Sequence, residues 1–145
     1  MNYELIADEL FDLTEHNRRC EQAMMKRVYL SAENYVLMMI VRNQEGIVYA
    51  GSLSAYIACK TSRMSVILNS LEKEGYITRV PDANDNRKHV IVATEVGKEK
   101  GIKLLEEVRR SYAELLKKLG EEDVRQLLTL QRKISKLYDE DYQNE

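Results

Sequence analysis

The sequence predicts a mostly helical chain that carries one small β-hairpin. Its 145 residues include only six glycines and one proline, whereas a sandwich or barrel needs turn-forming residues every ~8–12 positions. Apolar residues recur at helical spacing along most of the chain, and two β-rich runs flank a single polar loop. We therefore expect one domain, residues 1–145, with four helices, a hairpin and two further helices in that order.

The composition indicates a folded protein without a membrane span. Hydrophobic residues make up 44% of the chain, charged residues 32%, and the net charge is −2, which is outside the range of disordered chains. The longest apolar run, residues 35–41, is far shorter than the ~20 residues that a spanning helix needs. The N-terminus is acidic, unlike a secretory signal, and Cys20 and Cys59 form no CxxC pair. A cytoplasmic location, with no membrane partner, disulfide or structural zinc, is expected.

The N-terminal part is predicted to form a long helix, a buried helix and a short helix. No glycine or proline interrupts residues from Tyr3 to about Val28, which favours one long helix. Ser31 is placed to cap a second helix, and residues 35–41 are apolar around most of its circumference, so that helix should be central. A short strand at Ile47–Tyr49 and a two-turn helix at Ser52–Ala58 are expected next.

The fourth helix, Thr61 to Glu74, has the clearest pattern. Its buried stripe follows the i, i+3, i+4, i+7 rule and consists of Met64, Ile67, Leu68 and Leu71. The opposite face carries short or polar side chains, with Ser62, Val66, Asn69 and Lys73 in the middle and Ser65 and Ser70 at the flanks. Gly75 can adopt positive φ at no steric cost and is expected to end the helix.

The rest of the chain is predicted to form the hairpin and two long helices. The strands are Tyr76–Val80 and Val90–Thr94, and the loop of residues 81–87 between them is rich in turn formers. A helix over Glu95–Leu119 is expected to end at Gly120, and a last helix is expected to begin near Glu121, where acidic residues suit the positive end of the helix dipole.

A short helix, a corner, a helix with small outward side chains and a charged hairpin together make the plan of a winged helix-turn-helix. The charge distribution agrees with this plan. Residues 60–90 contain six basic and four acidic side chains, a net charge of +2, while each of the other three segments of the chain is net negative. A local positive patch can bind a phosphate backbone even when the whole protein is acidic. Double-stranded DNA is the predicted partner.

The candidate DNA contacts lie on the fourth helix and on the hairpin loop. A recognition helix enters a major groove about 12 Å wide, so short outward side chains allow close approach. Phosphate contacts are expected from Lys60 and Thr61, base contacts from Ser62, Ser65 and Asn69, a thymine-methyl contact from Val66, a phosphate or guanine contact from Arg63, and backbone or minor-groove contacts from Asn84, Asn86, Arg87 and Lys88. The alternatives are a merely solvated helix face and a structural ion pair between Arg87 and Asp82 or Asp85.

Three sets of motifs occur in the order of one known family. The hairpin reads Gly75-Tyr-Ile-Thr-Arg79, Asp82-Ala-Asn-Asp85-Asn86-Arg87 and Ala93-Thr94-Glu-Val-Gly97, preceded by Leu30-Ser31, Leu53-Ser-Ala-Tyr-Ile57 and Leu71-Glu-Lys-Glu-Gly75. With these motifs nearly the whole chain resembles the MarR family of bacterial transcription regulators. Ala83 stands where that family has proline, Asn86 where it has the first of two wing arginines, and Ser54 where it has alanine.

The resemblance implies a homodimer that binds a roughly palindromic operator, most simply as a repressor. Residues 1–30 and 95–145 would supply interlocking dimerisation helices, whose wide apolar faces agree with this role, and residues 31–94 would form the DNA-binding region. Two-fold symmetry would place the recognition helices about 34–36 Å apart. The resemblance also implies release of DNA by a small aromatic or phenolic effector, which acts through different affinities for two arrangements.

The remaining candidates are an effector pocket and a reactive thiol. The effector pocket would be lined by His16, Met25, Tyr35, Met38 and Met39, although a methionine-rich stretch is also typical of a plain core. Cys20 would serve a redox-sensing regulator, the alternative that one branch of the family suggests, and Cys59 is expected to be buried. No catalytic constellation, cofactor motif or metal-ligand cluster is recognisable, so an enzyme is not expected. A winged helix that binds a protein instead of DNA is the other alternative.

Overall fold

The computed structural model of the chain describes residues 1–29, 31–43, 47–85 and 87–142, and the side chains within these ranges except those of residues 25–29, 141 and 142. It divides into two compact units, Met1–Val108 and Arg109–Glu145. The helices are α1 (Tyr3–Tyr29), α2 (Ala32–Arg42), α3 (Ala50–Tyr56), α4 (Thr61–Lys73), α5 (Glu95–Leu119) and α6 (Glu121–Tyr142), and the strands are β1 (Ile77–Pro81) and β2 (His89–Ala93). The predicted fold class and element order are confirmed.

The core of the first unit forms around α2 and the inner face of α4. Every residue of the predicted α4 stripe is buried, and α2 buries five of its eleven residues. The core consists of Val36, Leu37, Ile40, Val41, Val48, Leu53, Met64, Ile67, Leu68, Leu71, Ile77, Ile91 and Ala93. Because α4 is fully anchored on one side, its opposite side is left to face outward.

Local caps set the ends of these helices as predicted. The Ser31 hydroxyl accepts a hydrogen bond from the Asn34 amide at 3.1 Å and caps α2. At the end of α4, Gly75 has a φ of +77°, and the Tyr76 amide donates to the Leu71 carbonyl at 2.9 Å. This is the hydrogen bond of a Schellman motif, and it turns the chain directly into the hairpin.

Three expectations for the segment before α4 were wrong in detail. Ile47–Tyr49 forms no strand, because only one backbone hydrogen bond joins it to β2 within the described residues, from the Ile91 amide to the Val48 carbonyl at 2.8 Å. The third helix, α3, begins and ends two residues earlier than predicted. Cys59 is half-buried against the core, where full burial was expected.

Thr94 and Gly97 join the hairpin to α5. The Thr94 hydroxyl donates to the Gly75 carbonyl at 2.6 Å and accepts from the Gly97 amide at 3.1 Å, which caps α5. A Cβ at Gly97 would lie 1.9 Å from the carbonyl oxygen of Tyr76. The absence of a side chain at Gly97 is therefore what lets the first turn of α5 pack directly on the hairpin backbone.

Each unit exposes a helix rich in large apolar side chains. In the first unit these lie on α1, at Tyr3, Leu5, Leu10, Phe11 and Leu13. In the second unit they lie mainly on α6, at Leu127, Leu128, Leu130, Ile134, Leu137 and Tyr138. None of the helices in the described residues combines the length and hydropathy that crossing a membrane requires.

We predict that Gly97→Ala destabilises the protein by about 1–3 kcal/mol or more, since the added methyl group overlaps a backbone oxygen. Gly51→Ala in α3 is the matched control, because its new Cβ meets nothing within 4 Å and alanine gains about 0.5–1 kcal/mol of helix propensity. Chemical denaturation of both variants measures the difference. Equal stability of the two variants would contradict the packing described for Gly97.

Candidate nucleic-acid interface

The helix-turn-helix is formed by α3, a tight corner and α4. In the corner, Ala58 has a φ of +51°, and the Cys59 amide donates to the Ser54 carbonyl at 3.0 Å. Lys60 is the N-cap of α4, and among the described residues no side chain caps the helix there. The first amides of α4 are therefore available to an anion. The phosphate contact expected at Lys60 and Thr61 requires this.

The outward face of α4 carries the predicted contact residues together. The exposed side chains are Lys60, Thr61, Ser62, Arg63, Ser65, Val66 and Asn69. Val66 is 67% exposed although it is apolar, so burial does not explain its residue type. The Ser65 hydroxyl donates to the Thr61 carbonyl at 3.0 Å, which leaves its oxygen free to accept a further hydrogen bond.

Arg79 links α4 to the hairpin. Its Nη2 donates to Oδ1 of Asn69 at 2.6 Å, and its Nε lies 3.5 Å from Oε2 of Glu72. The Arg79 side chain is 32% exposed, and Arg79 is paired with Ile91 of β2 in the antiparallel sheet. The sequence analysis placed Arg79 only within a family motif, and no local spacing signals its contact with Asn69.

Asp82 organises the base of the hairpin loop, which we call the wing (residues 82–88). Although it carries a carboxylate, Asp82 is only 6% exposed. Its oxygens accept hydrogen bonds from the Tyr49 hydroxyl at 2.5 Å and from the Asn84 and Asp85 amides at 2.8 and 2.9 Å. Asp82 therefore holds the turn of the wing and is not available to pair with Arg87, as one sequence-based alternative had it.

These hydrogen bonds change the acidity of both partners. The Tyr49 hydroxyl, helped by the backbone amides of Asn84 and Asp85, holds the pKa of Asp82 below its ordinary value. The same hydrogen bond raises the pKa of Tyr49, because ionising the phenol would remove its proton from the shared bond and place two negative charges together. Tyr49 is a second residue whose role the sequence analysis missed.

The tip of the wing is free to reach a ligand. The Arg87 side chain is 96% exposed, with its Nε 3.7 Å from a carboxylate oxygen of Asp85, and an exposed contact of that length holds an arginine weakly. Lys88 is 63% exposed and lies 6.0 Å from the centre of the Tyr49 ring. Asn84 is also exposed, whereas Asn86 lies outside the described residues.

A cavity of about 470 Å³ separates the wing from α4 and α3. Its lining includes Ser65 and Leu68 from α4, Lys88 and His89 from the hairpin, and Arg79 between them. Of the predicted contact residues, Ser65 of α4 and Lys88 of the wing line this cavity, so the two elements border one open space. Positive charge from Arg79 and Lys88 borders this space.

Only part of the predicted effector pocket comes together. Met38 is buried and Tyr35 and Met39 are half-buried in one cluster with Leu104, Leu105 and Val108. Burial raises the pKa of Tyr35. His16 is instead exposed on α1, and the side chain of Met25 lies outside the described part. The effector role of these residues stays a prediction.

Cys20 is exposed on α1, and its Sγ lies 3.5 Å from Nε2 of His16. The two residues are one helical turn apart, so this neighbour was readable from the sequence. In the described ranges, no three His, Cys, Asp or Glu side chains are placed to hold a metal ion together. Redox sensing through Cys20 stays a prediction.

The sequence of this chain is similar to a known protein family and to a curated regulator. The MarR family model matches residues 30–89. A curated relative from Bacillus subtilis (strain 168) is the uncharacterized HTH-type transcriptional regulator YcgE, which is 27% identical over 101 residues. The match spans 70% of this chain and 66% of the relative, just under two thirds of its length.

Solved structures extend the likeness beyond the matched segment. Apo wild-type MarR from E. coli is 20% identical, with a TM-score of 0.73 over 86% of this chain and 96% of that chain. BldR from Sulfolobus solfataricus is 21% identical, with a TM-score of 0.69 over 88% and 95%. A MepR mutant from S. aureus, bound to an oligodeoxyribonucleotide, is 20% identical, with a TM-score of 0.55 over 90% and 97%. This chain therefore shares the fold of these solved structures.

We predict that Tyr49→Phe lowers stability at neutral pH, and that its difference from the wild type shrinks as the pH falls below about 4. The sign follows from Asp82, whose lowered folded pKa contributes stability above the ordinary carboxyl pKa and loses it as the pH falls through the folded value. Tyr56→Phe, at a tyrosine that is 69% exposed, is the control. Denaturant unfolding at several pH values tests this, and a difference that persisted unchanged at pH 3 would contradict it.

Proposed function

We propose that this chain is a transcriptional regulator of the MarR family, whose model matches residues 30–89, and that it binds duplex DNA in the cytoplasm through α4 and the wing. The observation that carries the proposal is that α4 and the wing border one cavity, through Ser65 and Lys88. The outward face of α4 carries mainly short polar side chains, and the wing ends in the exposed Arg87. Short side chains suit base edges, and an exposed arginine suits phosphates or the minor groove.

The proposed contact residues differ in how deeply they enter the grooves of the DNA. Ser62, Ser65, Val66 and Asn69 are proposed to contact base edges in the major groove, and Arg63 a phosphate or a guanine. Lys60 and Thr61 are proposed to contact a phosphate at the start of α4. Asn84, Asn86, Arg87 and Lys88 are proposed to follow the backbone or the adjacent minor groove. A solved MepR mutant bound to an oligodeoxyribonucleotide has the same fold, which supports a DNA ligand.

The regulator is proposed to act as a homodimer on a roughly palindromic operator. Exposed apolar side chains on α1 and on α6 support this, since apolar patches of this extent are usually covered by a partner. A two-fold axis repeats the recognition helix, so the half-sites would lie about one helical turn of DNA apart. Dimerisation through residues 1–30 and 95–145 would cover both apolar surfaces.

Repression relieved by a small aromatic or phenolic effector is the proposed mode of control. The cluster of Tyr35, Met38 and Met39 supports an apolar effector, because methionine and tyrosine make adaptable walls. His16 and Met25 remain proposed members of that pocket. The effector would act by binding more tightly to the arrangement that does not fit DNA. Redox sensing through a cysteine thiol is the alternative mode of control, and the exposed Cys20 beside His16 supports it.

Arg87→Ala is expected to weaken binding to most duplex sequences and to reduce the slope of log affinity against log salt by about one for each wing on a phosphate. Lys103→Ala, which removes an equal charge from an exposed position on α5, is the control. Titrations of the wild type and both variants against one duplex at several salt concentrations measure this. Binding that is independent of salt would favour a protein partner over DNA.

Ile134→Asp is expected to shift a dimer toward monomers, because the charge enters the apolar face of α6, where Ile134 is 44% exposed. Helix content should persist, since Ile134 belongs to no core cluster among the described residues. Lys133→Asp, at an exposed neighbour on α6, is the control. Sedimentation at several concentrations measures the association constant, and a wild type that stays monomeric at high micromolar concentration would refute the dimer.

A further inference from the structure

Arg79 determines which atom of the Asn69 amide faces outward. Arginine has donors and no acceptor, so its 2.6 Å hydrogen bond can only be made to the amide oxygen of Asn69. Glu72 holds the other side of the same guanidinium. A charged donor at this distance makes a strong hydrogen bond, and it turns the oxygen of Asn69 toward the hairpin.

The nitrogen of the Asn69 amide remains unused. Asn69 is exposed on the outward face of α4, and no hydrogen bond to its Nδ2 occurs within the part of the chain that the structure describes. With the oxygen turned toward the hairpin, the group that Asn69 presents to a ligand on the outward face is therefore its NH₂ donor.

We propose that Asn69 acts as a donor-only reader of the major groove and favours guanine over adenine at the base pair it contacts. This inference rests on the proposed DNA-binding function. Adenine is read by asparagine through two bonds, one accepted by N7 from the amide nitrogen and one donated by the N6 amino group to the amide oxygen. The second bond requires the oxygen to face the base, whereas Arg79 holds it toward the hairpin. Guanine presents two acceptors, N7 and O6, to the same side, so the free NH₂ fits guanine and meets an unmatched donor on adenine.

The proposal makes Arg79 a positioning residue for specificity. The Arg79 side chain lies partly inside the hairpin, 32% exposed, and acts on the bases through Asn69. Replacing Arg79 by a side chain of similar length without donors releases the amide oxygen. The released amide can turn and form both bonds to adenine, so the preference for guanine should fall while contacts to phosphates persist.

The test is selection of bound duplexes from a random library by the full-length protein, followed by affinity measurements on single-base variants of the selected site. Asn69→Ala identifies the position that Asn69 reads, because preference is lost there alone. At that position the wild type is expected to bind guanine roughly tenfold more tightly than adenine, the size of one good base contact. Arg79→Met should reduce this ratio or invert it toward adenine.

Asn69→Asp is the matched variant, since it keeps the shape of the side chain and its contact with Arg79 but replaces the donor by an acceptor. It should lose guanine and favour cytosine, whose N4 amino group donates in the major groove. Because Asn69→Asp preserves the link between α4 and the hairpin, it tests the inference even if Arg79→Met disturbs the fold. Unchanged helix content of both variants serves as the folding control, and salt-dependent binding of the wild type to a random duplex is measured alongside as the binding control.

Three results would overturn the inference while leaving DNA binding intact: adenine selected at the position that depends on Asn69, no position that responds to Asn69→Ala, or an Asn69→Asp variant with the preferences of the wild type. Failure of the wild type to bind any duplex in a salt-dependent manner would instead overturn the proposed function and this inference together. The two kinds of failure are thus separated by the random-duplex control.

Discussion

The backbone carbonyl of Tyr76 is the point on which the arrangement of the first unit depends. It accepts a hydrogen bond from the Thr94 amide at 3.0 Å, and the first turn of α5 packs so closely on it that only glycine fits at position 97. Thr94 closes the junction by bonding to both Gly75 and Gly97. One small set of contacts therefore holds together the end of α4, the base of the hairpin and the start of α5. These contacts set the direction in which the hairpin leaves the junction.

Beyond that junction, two polar contacts position the wing relative to the helices. Arg79 joins β1 to the outward face of α4, and Tyr49 joins the segment before α3 to Asp82 at the base of the loop. Both contacts are made below the tip, so Arg87 remains almost fully exposed. A base held by hydrogen bonds, with an exposed cation at its end, suits contact with a phosphate backbone.

The features that sequence could predict are those whose causes lie within a few residues. The cap at Ser31, the stop at Gly75 and the buried stripe of α4 each depend on neighbours one turn away, and all are present. The contact between Tyr49 and Asp82 joins residues 33 positions apart, and nothing in local spacing indicates it. The strand expected at Ile47–Tyr49 failed for the related reason that a strand needs a partner with a continuous ladder, whatever its own propensity. Apart from Asn86, which lies outside the described residues, the proposed DNA contacts are exposed, but exposure alone leaves their roles as predictions.

On the proposed function, the charge distribution favours recognition of DNA through base edges over general attraction to its phosphates. The whole chain is acidic, and the segment of residues 60–90 has six cations, of which Arg79 is engaged with Asn69 and Glu72. Few cations are then left for phosphates, and the wing has Asn86 in one position where an arginine would add another. Because non-specific affinity comes almost entirely from phosphate neutralisation, it should be weak here. The proposed hydrogen bonds from the short side chains of α4 to base edges do not depend on the number of cations. A weak background and intact base contacts together give a high ratio of specific to non-specific binding, which is the quantity that decides occupancy among many competing sites.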